Sequence, residues 1–146
     1  MVKRINEYLK QQNIEIEGKK ILLAVSGGAD SVCLLDCVYQ LQDRLSLKLV
    51  CVHINHGLRE TAARDEEFVN KLADEREIPL YVLHADVLKQ AKESKCSTEE
   101  AGRKIRYEFF DKIAQEEQAD YIFLAHHRDD NAETMLFNLF RGSSIR

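Results

Sequence analysis

Tryptophan is absent from these 146 residues, and proline occurs once, at Pro79. With one proline and no Gly/Ser tract there is no linker, low-complexity segment or repeat, and little to interrupt helices and strands. No apolar run approaches the roughly 20 residues that a membrane-spanning helix needs, so no membrane partner is expected. Met1 to Lys10 is charged and patterned like a helix, which excludes a signal peptide. An excess of positive charge is also missing. The formal net charge is -4, whereas a domain that grips nucleic acid unaided is more often basic. If RNA is handled, most of the phosphate-binding surface belongs elsewhere. The four cysteines, Cys33, Cys37, Cys51 and Cys96, include no C-x-x-C pair. Reduced thiols in a cytoplasmic protein are therefore expected, with no redox or metal role.

What is present is a core and an alternation. Hydrophobic residues make up 45% of the chain, enough for one domain of this length. Ile21 to Val25, Leu47 to Ile54, Leu80 to Leu83 and Tyr121 to Ala125 read as nearly continuous apolar runs. Continuous rather than alternating hydrophobicity marks strands covered on both faces, hence a parallel sheet. Between the runs lie helical stripes: Val32, Leu35, Val38 and Leu41; Phe68, Val69, Leu72 and Ala73; and Ala101, Ile105, Phe109 and Ile113 behind the capping box Ser97-Thr98-Glu99-Glu100. Ala132, Met135, Leu136, Leu139 and Phe140 predict a final helix, with Gly142 as its C-cap. The order βαβαβαβα after an N-terminal helix predicts an α/β fold, a three-layer doubly wound parallel sheet. Residues 1–146 then form one domain that stops just after its last helix, as a fragment would.

Ser26-Gly27-Gly28-Ala29-Asp30-Ser31 follows the first strand and opens the first crossover helix. Ligands of such sheets bind at the carboxyl ends of the strands. Paired glycines let the backbone approach an anion, and the helix N-terminus offers free N–H groups and partial positive charge. Ser26 and Ser31 add hydroxyls. Asp30 would repel a phosphate unless a cation such as Mg²⁺ bridges the two. Neither G-x-x-x-x-G-K-[ST] nor G-x-G-x-x-G occurs, so other nucleotide fingerprints are excluded.

All five histidines, His53, His56, His84, His126 and His127, fall at or just past the ends of expected strands, on the edge that carries the Ser26 loop. In His126-His127-Arg128-Asp129-Asp130-Asn131-Ala132-Glu133, Asp130 and Glu133 could cap the last helix. Capping leaves the two histidines and Asp129 unexplained. Paired carboxylates at a ligand edge can hold a second Mg²⁺, orient an ammonium group or act as general base. Arg103 and Arg106, one helical turn apart, are either a solvated face or a source of guanidinium for phosphate oxygens.

The S-G-G-x-D-S loop resembles the PP-loop of the N-type ATP pyrophosphatases. Val52 to Arg59, Glu100 to Tyr107, and Ala125 to Thr134 followed by Arg141-Gly142-Ser143 resemble, in order, the tRNA(Ile)-lysidine synthase family. The resemblance implies a Rossmann-like fold of the adenine nucleotide alpha hydrolase type. It implies a cytoplasmic ligase that uses ATP and Mg²⁺ to adenylate the wobble cytidine of an isoleucine tRNA with a CAU anticodon. Free L-lysine then displaces AMP. On that footing Ser26, Gly27, Gly28, Ala29, Asp30, Ser31, His53 and His56 face the nucleotide. Asp30 holds Mg²⁺, and Asp30, Arg103, Arg106, His127 and Asp130 are catalytic candidates. Asp129, Asp130 and Glu133 would receive the lysine. The tRNA-binding C-terminal part would lie outside this chain. Asn131 and Gly102 depart from the family's usual glutamine and alanine. Thiolation of tRNA, or nucleotide binding without chemistry, are the competing readings. The cysteine positions count against the first and the carboxylates against the second.

Overall fold

The computed structural model describes residues 7, 9–11, 13, 15–57, 62–128 and 131–141, from 125 onward by backbone alone. The apolar runs become β1 (Lys20–Ala24), β2 (Lys48–Asn55), β3 (Leu80–His84) and β4 (Tyr121–Arg128). The helices are α1 (Ala29–Leu45), α2 (Ala62–Glu75), α3 (Val87–Ser94) and α4 (Thr98–Glu117), and β5 (Asn131–Arg141) ends the series. Strand order is β3-β2-β1-β4-β5. The chain steps from β1 outward to β3, then returns across the sheet to β4 on the other side of β1. All three pairings among β1 to β4 are parallel. The reversal of direction beside β1 creates the crevice in which such sheets bind ligands.

The period of two along each strand sorts its side chains into two cores. Ile21, Leu23, Leu49, Cys51 and Phe123 pack with Leu34, Leu35, Val38 and Leu41 of α1 and Val69 of α2. The intervening Leu22, Val50, Val52, Ile122 and Leu124 pack with Phe110, Ile113 and Ala114 of α4. Every central strand is thus covered on both faces, which explains its unbroken hydrophobicity. Polar ties close the layers. Arg76, just past α2, reaches Asp36 of α1 at 2.6 Å and lies over the Tyr39 ring. Lys20 pairs with Glu117 at 2.8 Å, and the Tyr81 hydroxyl donates to the same carboxylate. Ser97 caps α4 as expected, its Oγ accepting the Glu100 N–H at 3.1 Å.

Two elements differ from expectation. Helix α3 is short, and only Val87 and Ala91 of its turns are buried, too few apolar positions to register as a stripe. The segment expected as a final helix is instead β5, antiparallel to β4, with Tyr121↔Arg141 at one end and His127↔Met135 near the other. Its apolar residues satisfy helical spacing, but Met135-Leu136-Phe137 and Leu139-Phe140 also supply both faces of a strand. Pairing satisfies the open edge of β4. The sheet is therefore mixed at that edge. The helix that Asp130 and Glu133 were to cap is not formed: Glu133 lies in β5, and Asp130 is outside the described residues, as is the expected cap Gly142.

Gly102 is buried in α4, and a Cβ there would meet Val87 Cγ1 at 3.8 Å and His56 Cε1 at 3.9 Å. Both are ordinary contacts, so the glycine is not required by crowding. Gly102→Ala is expected to stabilise the fold by about 1 kcal/mol through helix propensity. Thermal unfolding should show its midpoint raised by roughly 2–4 °C.

Candidate functional site

The loop after β1 owes its shape to one glycine and one serine. Gly27 has φ of +96°, and a Cβ on it would meet Asp65 and Val69 of α2 at 3.4 and 3.6 Å, in ordinary contact, so the requirement for glycine comes from the backbone. Only glycine takes that conformation readily. Gly28 is different: φ -76° and ψ 161° suit any residue, and it provides no side-chain cap for α1. Ser31 binds the loop together from inside. Its buried Oγ accepts the N–H groups of Ser26 (3.1 Å) and Gly27 (3.3 Å) and donates to the Gly28 carbonyl at 3.0 Å. Ser26, by contrast, is exposed and accepts the Gly28 N–H at 3.3 Å. Ala29 and the half-buried Asp30 start α1, directly beyond the glycines.

In front of this loop opens a cleft of about 570 Å³. Its walls are Ala24 to Gly28 and Ser31, the end of β2 from Val52 to Gly57, Ala62 and Asp65 of α2, Arg106 and Phe110 of α4, and Leu124; Ala29 and Asp30 do not line it. That volume suits a nucleotide-sized ligand. His53 is buried, its Nδ1 lying 2.7 Å from the Val25 carbonyl oxygen. The carbonyl can only accept, so Nδ1 carries the proton. In the neutral ring Nε2 is then an acceptor, and it has no partner among the described residues. Nδ1 of His56 is likewise buried and unpartnered among them. Burial, aided by the Arg106 charge and by His53, pushes the His56 ring below the ordinary histidine range, which favours a neutral imidazole at pH 7.

The two arginines part company. Arg106 lines the cleft, while Arg103 is exposed and sits 3.7 Å from Glu99 on the same helix. His126 and His127 lie in β4 beyond Phe123, the last residue paired with β1, and so on the loop's side of the sheet. Glu133 stands near the start of β5. Asp129 and Asp130 are outside the described residues.

Asp65 and Glu66 were not foreseen. Both lie in the first two turns of α2, behind the Asn55–Arg59 stretch, where acids are ordinary helix-start residues. Their position just after a strand's carboxyl end was the available signal. The cysteines stand apart from this chemistry. Burial, reinforced by Cys33, raises the Cys37 thiol to about 11, and burial raises Cys51 to about 12; neither is a thiolate at neutral pH. Among the described residues, no helix is long and apolar enough to cross a membrane.

The tRNA(Ile)-lysidine synthase of Clostridium acetobutylicum is 38% identical over 144 residues, 98% of this chain and 31% of that protein. The enzyme of the same name from Clostridium perfringens is 38% identical over 146 residues, with 99% and 31% covered. The chain therefore spans about a third of the length of these curated relatives. Among solved structures, the U34-tRNA thiolase NcsA from Methanococcus maripaludis, described with its 4Fe-4S cluster, superposes with a TM-score of 0.68. It is 17% identical and the match covers 83% of this chain and 43% of that one, a likeness of fold. Residues 1–146 match the PP-loop domain throughout, and the chain belongs to the PP-loop family.

Proposed function

We propose that residues 1–146 are the ATP-binding, adenylating part of a tRNA(Ile)-lysidine synthase. The observation that carries the reading is the Ser26–Ser31 loop, held open by Gly27 at the sheet's reversal point and facing a cleft of about 570 Å³. The lysidine synthase relatives add the substrate class. The carbonyl oxygen of the wobble cytidine of an isoleucine tRNA with a CAU anticodon attacks the α-phosphorus of ATP. The bond to the β-phosphate breaks and pyrophosphate leaves. The ε-amine of free lysine then attacks the adenylated cytosine carbon, the carbon–oxygen bond breaks, and AMP leaves.

Gly28, Ala29 and the start of α1 receive the pyrophosphate portion, where helix N–H groups suit phosphate oxygens. Ser26 adds an exposed hydroxyl, and Ser31 keeps the loop in shape. His53 and His56 line the nucleotide's wall. Asp30 would hold Mg²⁺, since one carboxylate supplemented by phosphate oxygens and water is an ordinary donor set for that ion. The ion would neutralise phosphate charge. Arg106, rather than the solvated Arg103, stabilises charge on the α-phosphate, with His127 as a second catalytic candidate. Asp129, Asp130 and Glu133 bind the lysine ammonium, whose reference pKa is about 10.4, and one of these carboxylates or His127 takes its proton. The net charge of -4 fits a domain that leaves most of the tRNA grip to a part beyond residues 1–146.

Thiolation finds less support, because Cys37 and Cys51 are buried, protonated thiols. The test uses the complete protein with ATP, Mg²⁺, lysine and isoleucine tRNA. AMP and pyrophosphate in equal amounts are expected, dependent on the tRNA, with lysine incorporated into it. ADP as the main product would remove the adenylation reading.

A further inference from the structure

Glu66 connects three elements through a single oxygen. Its Oε1 accepts hydrogen bonds from Asn55 Nδ2 at 3.1 Å and from His84 Nε2 at 2.5 Å. Asn55 Oδ1 in turn accepts the Gly57 N–H at 3.0 Å, closing a turn in which Gly57 has φ of +68°. The ends of β2 and β3 are thereby tied to α2. Asn55, His56 and Gly57 line both the cleft of about 570 Å³ and a neighbouring cavity of about 420 Å³. The turn is the wall between the two. The hydrogen bond from Asn55, then the His84 ring, holds the Glu66 carboxyl below its usual range. The acceptor is thus ionised at neutral pH, and charged acceptors make the stronger hydrogen bonds.

We infer that Glu66 is a positioning residue for nucleotide binding: by holding Asn55 it sets the 55–57 turn, and with it His56, at the wall of the cleft. The inference rests on the proposal that this cleft binds ATP. Glu66 itself need not touch the nucleotide. Its loss should appear in ATP affinity rather than in turnover at saturation, because the turn shapes the cleft before any charge develops.

The test is calorimetric titration of the complete protein with ATP, without tRNA, alongside steady-state kinetics. Glu66→Ala is expected to weaken ATP binding about tenfold, the worth of one hydrogen bond to a charged group. The rate at saturating ATP should stay within about twofold. Glu66→Gln keeps an oxygen for Asn55 and should recover affinity to within about threefold of wild type. Asn55→Ala should match Glu66→Ala, and the double variant should be no weaker than either, since both break one linkage. Asp36→Ala, which cuts the tie to Arg76 just past the far end of α2, should lower thermal stability and leave ATP affinity unchanged. Folded Glu66→Ala with wild-type affinity, or fully additive effects of Glu66→Ala and Asn55→Ala, would overturn the inference. A wild type that binds ATP yet forms no AMP with tRNA and lysine would sink the proposed function while leaving this comparison intact. A wild type that binds no ATP would sink both.

Discussion

Arg106→Ala in the complete protein is expected to slow AMP formation about 100- to 1000-fold, the usual loss when one donor to a developing oxyanion is removed. Arg103→Ala should slow it less than about threefold, because an exposed i,i+4 ion pair contributes little. The contrast comes from helical geometry. The two side chains are offset by about 60° around α4, and at the edge of the cleft that offset decides: Arg106 lines the cleft and Arg103 meets Glu99 in solvent. The decisive measurement is single-turnover release of AMP at saturating ATP, with tRNA and lysine in excess. Arg106→Lys retains the charge but not the fork that grips two phosphate oxygens, so only partial recovery is expected. Equal losses in the two alanine variants would mean that helix α4 matters as a unit and that the cleft-facing arginine has no special part. A further consequence concerns His56, whose ring Arg106 helps keep neutral. Removing the arginine should let that ring take up a proton at higher pH than in the wild type, observable by NMR titration.

The sequence carried the parallel sheet and the nucleotide loop because each has a local physical signature. Strands buried on both faces must be apolar throughout, and Ile21 to Val25 or Tyr121 to Leu124 read that way. A sharp turn between a strand and a helix favours glycine, so the pair Gly27-Gly28 is visible in the letters; that Gly27 alone of the two needs the positive φ required the fold. Less legible was everything that depends on contact between distant segments. Glu66 meets Asn55 and His84, residues 11 and 18 positions away, and nothing in the letters around Glu66 distinguishes it from its neighbours Asp65 and Glu67. The choice between Arg103 and Arg106 depends on which face of α4 packs on the sheet. Residues 131–141 illustrate the limit of periodicity: a short segment with apolar residues on two faces fits helix and strand templates alike, and the unpaired edge of β4 chose the strand. His53 was placed at the ligand edge by position only. That its Nδ1–H donates to the Val25 carbonyl, leaving Nε2 buried and without a partner among the described residues, required the fold.

Gly28→Val in the complete protein is expected to abolish most ATP binding while leaving the fold in place. The backbone at Gly28, with φ -76° and ψ 161°, lies in the region that β-branched residues prefer. An added Cβ would meet only the Ser26 hydroxyl, at 3.5 Å. Valine is a poorer N-cap than glycine, but Gly28 makes no side-chain cap bond that could be lost, so the stability loss should stay below about 1 kcal/mol. Its two methyl groups, however, would stand over the start of α1, where phosphate oxygens must come within hydrogen-bonding reach of backbone N–H groups. Losing two such charge-assisted bonds, each worth about 1.5 kcal/mol, corresponds to roughly a 100-fold weaker affinity. Gly27→Val makes the opposite case. Its positive φ of +96° strains any side chain by about 1–3 kcal/mol, so stability and binding should fall together. Calorimetric titration with ATP beside thermal unfolding separates the two. Should Gly28→Val remain folded and bind ATP as tightly as wild type, the phosphates lie away from this loop and the nucleotide enters the cleft in another orientation.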